Sequence, residues 1–321
     1  MAKWERVLGI SVILSCCFIG VYWSYFRAPV SDTEMAPLPE PTQHDLLPAD
    51  YTNTDFVLQR PRFLLFGDSL TERAFSVGGW AGALAHHFYR KVDVISRGFG
   101  GYNTRWAKHL MKDVFNGVDG TNTKLVTVFF GANDAARANG PPHSARQHVP
   151  IPEYADNLRQ MVAFIRGLGV QTIVLMTPPP VHDAGRKDWQ VLRVGKAASD
   201  AMPLDRTNEH TAGYAAACLD VGKELGVPCV DLYGRLQKEQ DWGPNFFTDG
   251  LHFSPLGNAK VFEALLDTLA SAYPDLKPEA LPLHFPWFDQ WDFEQPENTA
   301  AQIEALRQKG PYAVGKVEPK A

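Results

Sequence analysis

Serine, aspartate and histidine are used together in nucleophilic catalysis, and all three occur in two short polar stretches of this chain. Ser69 follows an apolar run in RFLLFGDSLTE, and Asp249 and His252 lie three residues apart in DGLHFSPLGN. Transfer of an acyl group to water requires a nucleophile, a base that accepts its proton and an acid that orients the base. We therefore assign Ser69 as candidate nucleophile, His252 as its base and Asp249 as the orienting acid.

The same chemistry requires hydrogen-bond donors for the oxyanion that forms in the transition state. Candidates are the backbone N–H of Ser69, the N–H of a glycine in RGFGGYNT (97–104) and the side-chain amide of Asn133 in GANDA (131–135). Glycine suits such a position because it lets the backbone approach a substrate closely. The residues alone do not decide which glycine of the second stretch would donate.

These stretches recur at regular places in an alternation of strands and helices. Short apolar runs predict strands, and runs with helical spacing predict helices: strands at 64–66, 92–96, 125–130, 172–176 and 228–232, and helices at 80–90, 105–115, 153–169, 207–226 and 255–273. This order predicts an α/β fold, a three-layer α/β/α sandwich around a five-stranded parallel sheet. Ligands of such sheets bind beyond the carboxyl ends of the strands, where the polar stretches lie.

Two connections in this pattern are longer than compact domains usually contain. They cover residues 135–152 and 177–206. Long connections are more often functional than idle, so both are predicted to be loops that shape the site.

Four blocks together carry a resemblance to a known family: FGDSLTE (66–72), RGFGGYNT (97–104), GANDA (131–135) and DGLHFSPLGN (249–258). The sequence resembles the GDSL esterases and lipases of the SGNH hydrolase superfamily over about residues 60–290, and its blocks are similar to those of the isoamyl acetate-hydrolysing esterase branch. The resemblance implies a flavodoxin-like fold and a catalytic triad of Ser69, His252 and Asp249. It also implies an oxyanion hole of Ser69, Gly101 and Asn133, and it favours Gly101 over the other glycines.

The expected activity is hydrolysis of carboxylic esters, with short acyl chains as the favoured substrates and no metal or cofactor. Two uses of the same site remain open: hydrolysis of lipid esters or thioesters, and acyl transfer to an alcohol. A nucleotide-binding function is not indicated, because neither GxGxxG nor GxxxxGK[ST] follows a strand. An inactive binding module would not need the full set of catalytic residues.

Several of these residues also have structural interpretations. Ser69 could cap a helix, and Asn133 could stabilise a turn. Asp68 is interpreted as an acceptor for loop amides, with the triad acid as its alternative role. Ser254 and Pro255 are typical of a helix start.

Four aromatic residues are predicted to line an acyl pocket because they lie near the site in sequence: Trp189, Trp242, Phe246 and Phe247. Four histidines could in principle bind metal: His86, His87, His143 and His148. They lack carboxylate or cysteine partners at ligand spacing, so a metal site is not predicted. Cys218 and Cys229 are expected to be two unpaired thiols, although a single bridge between them is possible.

The N-terminus predicts a membrane segment. Residues 7–26 carry no charged side chain, and a run of this length is long enough to cross a bilayer as a helix. We interpret residues 1–27 as an uncleaved anchor, with a cleaved signal peptide and a secreted enzyme as the alternative. Lys3 and Arg6 precede the run and only Arg27 closely follows it, which favours a cytoplasmic N-terminus and a lumenal or extracytoplasmic domain.

The rest of the chain divides into a Pro-rich linker at 28–56, a hydrolase domain at 57–275 and a C-terminal extension at 276–321. The extension is expected to pack partly on the domain and then to fray. With 45% hydrophobic residues and a net charge of −5, the composition is that of a globular protein and does not indicate a nucleic-acid partner. The expected partners are an ester substrate and a membrane.

Overall fold

The computed structural model describes residues 55–292 and 294–316. The predicted anchor or signal sequence, and the linker as far as residue 54, lie outside the described residues. Within the described part, no helix combines the length and the apolar character needed to span a bilayer.

The described residues form eight strands: β1 (Asp55–Val57), β2 (Arg62–Gly67), β3 (Asp93–Gly98), β4 (Thr123–Phe129), β5 (Ile173–Met176), β6 (Cys229–Val230), β7 (Leu283–His284) and β8 (Gly315–Lys316). Five of them make one parallel sheet in the order β3-β2-β4-β5-β6. The first strand of this sheet therefore has its two successors on opposite sides. Such a reversal of strand order is where doubly wound sheets bind their ligands.

The α-helices of the described residues are α1 (Ser69–Glu72), α2 (Trp80–His87), α3 (Thr104–Val114), α4 (Pro142–Ala145), α5 (Ile151–Gly167), α6 (Asp183–Val194), α7 (Lys196–Asp200), α8 (Asn208–Leu225), α9 (Leu232–Leu236), α10 (Trp242–Phe246), α11 (Pro255–Ala272) and α12 (Pro296–Arg307). The predicted helices of the α/β pattern correspond to α2, α3, α5, α8 and α11, and the five predicted strands are also present. The α/β prediction is confirmed.

Both faces of the parallel sheet are covered by helices. Phe63 and Leu65 of β2 pack in one buried cluster with residues of α2 and α11. Leu64 and Phe66 point the other way, into a cluster with residues of α3, α5 and α8. Because alternate side chains of a strand point to opposite faces, a strand buried on both must be apolar throughout. This explains the uninterrupted apolar run before Ser69.

The segments predicted to be long loops contain helices: α6 and α7 lie within 177–206, and α4 and the first residues of α5 lie within 135–152. Sequence periodicity did not predict helix α6, because its buried residues are polar. Arg186 and Gln190 face inward, whereas Leu192 is exposed. An inward face made of polar side chains gives no apolar pattern to read.

A second, small sheet has the order β7-β1-β8 and covers a cluster of Phe56, Leu283, Ile303 and Leu306. Asp55 and Phe56, which the sequence assigned to the linker, belong to its central strand. The C-terminal extension is paired as far as Lys316, which lies opposite Asp55, and the residues after Lys316 lie outside the described part of the chain. Strands of two or three residues gain most of their stability from tertiary packing, so sequence periodicity cannot reveal them.

Cys218 and Cys229 are free thiols. Their Sγ atoms lie 3.7 Å apart between α8 and β6. The prediction of two unpaired thiols agrees with this arrangement.

Candidate active site

Ser69 is the first residue of α1, and a single residue, Asp68, separates it from the end of β2. Asp68, not Ser69, is the helix cap: its side chain accepts a hydrogen bond from the Leu70 N–H at 2.9 Å. The interpretation of Asp68 as a structural acceptor is confirmed. Since the first N–H groups of a helix have no acceptor within the helix, the Ser69 amide is available at the end of the sheet.

Asp68 is also unusual in its electrostatics. The carboxyl is fully buried, and this burial raises its pKa to about 7 against the hydrogen bond from Leu70. Its Oδ2 atom has no hydrogen-bond partner among the described residues. Burial therefore favours the neutral, protonated form of this carboxyl at pH values below about 7.

His252 and Asp249 lie on a tight loop between α10 and α11. The loop is closed by an antiparallel bridge between Phe247 and Phe253 and by a hydrogen bond from the Thr248 N–H to the His252 carbonyl. The Asp249 Oδ1 accepts from the His252 N–H at 2.8 Å. Ser254 caps α11 and Pro255 is in its first turn, as predicted. These local bonds hold the imidazole in one place.

The three side chains form one hydrogen-bonded line. The Ser69 Oγ lies 2.9 Å from the His252 Nε2, and the His252 Nδ1 lies 2.7 Å from the Asp249 Oδ2. Although burial disfavours its charge, the hydrogen bonds from His252 and the nearby Arg186 hold the pKa of Asp249 well below its usual range. An ionised carboxylate fixes the imidazole with its Nδ1 protonated, so that Nε2 can accept a proton from the hydroxyl.

Gly101 and Asn133 are brought together by a residue that the sequence did not single out. The Gln147 side-chain N–H group lies 2.8 Å from the Gly101 carbonyl and 3.2 Å from the Asn133 Oδ1. The neighbouring Gly100 donates its N–H to the Glu72 carboxylate of α1 at 2.7 Å. That bond ties the loop after β3 to the helix that begins with Ser69.

A buried ionic cluster, also missed by the sequence, lies behind these residues. Asp205 accepts from the Arg186 Nη2 at 2.7 Å and from the Arg206 Nη1 at 2.6 Å. All three residues are buried. Arg186 reaches towards Asp249, and Arg206 donates to Asn133. No motif marks them, because their partners are distant in sequence; the length of segment 177–206 was the only signal.

A cavity of about 110 Å³ opens beside the Ser69 hydroxyl. Its lining consists of Ser69, Leu70, Arg73, Ser76, Val77, Thr248, His252, Phe253, Pro255 and Asn258. The prediction of an aromatic acyl pocket is wrong for this cavity, since the four proposed residues are not in its lining.

The four aromatic residues have other packing partners. Phe246 and Phe247 are core residues in a cluster with Leu236, and Trp242 packs against Phe247. Trp189 stacks on the Arg186 guanidinium, 3.7 Å from the ring centroid. Aromatic character in sequence therefore indicated the supports of the site and not its lining.

Within the described residues, no group of three or more His, Cys, Asp and Glu side chains is arranged to hold a metal ion. His148 uses its Nδ1 in a contact with the Ala136 carbonyl at 2.8 Å.

Comparison with known proteins identifies the family. The GDSL-like Lipase/Acylhydrolase family model matches residues 65–260. A GDSL esterase/lipase of Arabidopsis thaliana is 42% identical over 238 residues, which cover 74% of this chain and 96% of the relative. The isoamyl acetate-hydrolyzing esterase 1 homolog of Rattus norvegicus is 41% identical over 225 residues, covering 68% of this chain and 86% of the relative.

Among solved structures, the lipase/acylhydrolase from Enterococcus faecalis has the same fold. It superposes with a TM-score of 0.50 at 21% identity, covering 66% of this chain and 96% of that one. The resemblance carried by the four sequence blocks is confirmed. The chain therefore belongs to the GDSL-like lipase/acylhydrolase family and is a carboxylic ester hydrolase.

Proposed function

We propose that the protein is a serine esterase in which Ser69, His252 and Asp249 form the catalytic triad and short acyl esters are the substrates. The observation that carries the proposal is the continuous line from the Ser69 Oγ to the His252 Nε2 at 2.9 Å and from the His252 Nδ1 to the Asp249 Oδ2 at 2.7 Å. This geometry supports proton transfer from hydroxyl to imidazole.

In the proposed mechanism, the Ser69 Oγ attacks the ester carbonyl carbon while His252 accepts the hydroxyl proton. The tetrahedral intermediate collapses, and His252 gives the proton to the leaving alcohol. Water then attacks the acyl-enzyme with His252 again as the base, and the carboxylic acid leaves as Ser69 regains its proton. Asp249 stays ionised throughout and stabilises the imidazolium.

The proposed oxyanion hole consists of the Ser69 N–H, the Gly101 N–H and the Asn133 side-chain amide. Gly101 has a φ of +80°, a conformation that glycine adopts without strain. The Gly100 amide is engaged by Glu72, which supports Gly101 as the donor of this loop. Donors held before the reaction stabilise the oxyanion without reorganising during it.

The proposed preference for short acyl groups rests on the size of the cavity beside Ser69. A dry cavity of roughly 150 Å³ accommodates a benzene molecule. A space of about 110 Å³ therefore fits an acyl group of a few carbons.

A lipid ester is the second candidate substrate, favoured by apolar side chains at the mouth of the cavity. Val77 lines the cavity and is fully exposed, and Phe75 and Leu256 are half exposed beside the lining residues Ser76 and Pro255. Exposed apolar groups at a site often contact an apolar ligand. Hydrolysis rates for a series of p-nitrophenyl esters from acetate to palmitate separate the candidates: a maximum at short chains supports the first, and a maximum at long chains supports the second.

The catalytic role of Ser69 is tested with Ser69→Ala, and exposed Ser271→Ala is the matched control. We expect Ser69→Ala to abolish hydrolysis of p-nitrophenyl acetate and labelling by a fluorophosphonate probe, since both need the Ser69 oxygen as nucleophile. Ser271→Ala should behave as the wild type. Retention of esterase activity in folded Ser69→Ala would overturn the proposed function.

We also propose that residues 7–26 anchor the enzyme in a membrane, because the run is uncharged and long enough to span a bilayer. Alkaline carbonate extraction of membranes from cells that produce the full chain should leave the enzyme in the pellet, whereas a variant lacking residues 1–27 should be extracted. Release of the full chain by carbonate would contradict an anchor, and a shortened N-terminus would indicate signal cleavage.

A further inference from the structure

Asn133 can serve an oxyanion only in one of the two orientations of its amide. The oxygen of an asparagine accepts hydrogen bonds, whereas the nitrogen donates them, and the two ends have similar shapes. The side chain is buried, with only 4% of the residue exposed. Its Oδ1 accepts from the Arg206 Nη2 at 2.8 Å and from the Gln147 Nε2 at 3.2 Å. Its Nδ2 donates one N–H to the Tyr102 carbonyl at 2.9 Å, which leaves its second N–H for another acceptor.

Arginine fixes this orientation because a guanidinium has donors and no acceptor. Turning the amide over would place two N–H groups of Asn133 against the N–H groups of Arg206. We propose that Arg206 and Gln147 are positioning residues that hold the Asn133 amide with its second N–H directed at the oxyanion. This inference rests on the proposed function, since it presupposes that Asn133 is an oxyanion donor.

Each of the three nitrogen atoms of the Arg206 guanidinium donates a hydrogen bond. Its Nε donates to the Ala132 carbonyl at 2.7 Å, and its Nη1 donates to Asp205 at 2.6 Å. Its Nη2 also donates to the Gln147 Oε1 at 2.8 Å, so the Gln147 amide is oriented by the same group. A side chain with this many fixed bonds has one position, and it imposes one position on its neighbours.

The same cluster extends to the other half of the site. Asp205 bridges Arg206 to Arg186, whose Nη1 lies 3.5 Å from the Asp249 Oδ2. Two guanidinium groups face one buried carboxylate, which leaves a positive charge between Asp249 and Asn133. That charge favours the ionised form of Asp249, whose negative charge balances it.

A double-mutant cycle between Arg206→Met and Asn133→Ala tests the inference with p-nitrophenyl acetate as substrate. Removal of one oxyanion donor typically lowers kcat by about 10²–10³. We expect Asn133→Ala to fall in that range and Arg206→Met to lower kcat by roughly tenfold or more with little change in KM. In the Asn133→Ala background, Arg206→Met should lower kcat by less than about threefold, because no amide remains to be positioned.

An equal loss of kcat from Arg206→Met in both backgrounds would overturn the inference and leave the proposed function intact. Full kcat in Asn133→Ala would instead remove Asn133 from the proposed oxyanion hole and overturn the inference, whereas the esterase function itself stands or falls with Ser69→Ala. Near-ultraviolet circular dichroism verifies folding of each variant. Arg206→Met leaves Asp205 with its bonds from Arg186.

If Arg206→Met does not fold, Gln147→Leu replaces it in the same cycle with the same expectation, because Gln147 is neutral and only part-buried. The control is Arg90→Met. Arg90 also donates to backbone carbonyls, at His284, Phe285 and Pro286, away from the site. Arg90→Met should lower the free energy of unfolding and leave kcat unchanged.

Discussion

At the scale of single residues, the proposed chemistry depends on the charge of Asp249. Its Oδ1 accepts the backbone N–H groups of Leu251 and His252, and its Oδ2 contacts the imidazole. The first oxygen therefore shapes the loop, and the second orients the base. A substitution that keeps one role and removes the other separates structure from catalysis.

Asp249→Asn is such a substitution. The asparagine Oδ1 can still accept both backbone bonds, but its Nδ2 would donate to the imidazole and favour the tautomer with a proton on Nε2. That tautomer cannot take the Ser69 proton, and the same change lowers kcat by about 10⁴ in a serine protease. We expect a loss of kcat of roughly 10³–10⁴, measured with p-nitrophenyl acetate on protein whose fold is verified by near-ultraviolet circular dichroism. Exposed Asp188→Asn is the control, and activity within tenfold of the wild type in Asp249→Asn would contradict the role.

Residue types and spacing predicted the three residues of the hydrogen-bonded line, because each belongs to a block that carries local chemistry. They did not predict Arg186, Asp205, Arg206 or Gln147, whose importance lies in contacts with residues far away in sequence. The aromatic residues predicted for the acyl pocket are absent from the lining of the cavity beside Ser69. Trp189 is close to the site in the fold, but its ring is occupied by the Arg186 guanidinium.

At the scale of the secondary-structure elements, α1 is a four-residue helix whose start places Ser69. Its cap is a buried carboxyl, and the burial that raises the pKa of Asp68 to about 7 makes the stability of the protein depend on pH. The usual value is 3.8, so between the two values the unfolded chain releases a proton that the folded chain retains. Folding stability therefore decreases as the pH rises through this range.

Asp68→Asn should reduce this pH dependence. The asparagine oxygen can keep the bond from the Leu70 N–H, and the side chain has no proton to lose. The difference of about three pH units corresponds to at most on the order of 4 kcal/mol in the free energy of unfolding. Urea unfolding at pH 4, 6 and 8 should show a smaller fall in stability for Asp68→Asn than for the wild type. Exposed Asp188→Asn should keep the wild-type slope, and an identical slope in Asp68→Asn would contradict the raised pKa.

The elements that periodicity could predict are those with apolar faces. Strands β2 to β6 and the five covering helices follow from runs that must be buried against the sheet. Helix α6 does not, because it buries Arg186 and Gln190 to build the support of the site. Polar side chains occupy the inward positions at which an apolar pattern would have revealed the helix.

At the scale of the whole molecule, the described part has two regions, one around each of its two sheets. The parallel sheet carries the site, and the small sheet joins β1 from the start of the described chain to β7 and β8 from its end. The sequence predicted that the extension would pack on the domain but gave no pairing, because the pairing strands are short and distant in sequence. Whether residues 7–26 anchor this molecule stays a prediction.

Arg90 connects the two regions, and its removal is expected to affect stability without affecting catalysis. Its guanidinium donates to the carbonyls of His284, Phe285 and Pro286 and lies over the Trp287 ring, 4.1 Å from its centroid. Arg90→Met keeps the aliphatic stem but leaves three carbonyls without their charged donor, which should lower the free energy of unfolding by about 2 kcal/mol. Urea unfolding measures this loss, and hydrogen exchange should be faster at the backbone N–H groups of residues 283–285. The control Arg159→Met removes an exposed ion pair with Glu224 and should cost less than about 1 kcal/mol.

Because the Arg90 contacts belong to the small sheet and not to the bonds around Ser69 and His252, kcat of Arg90→Met should match the wild type. A fall in kcat for folded Arg90→Met would show that the small sheet takes part in shaping the active site.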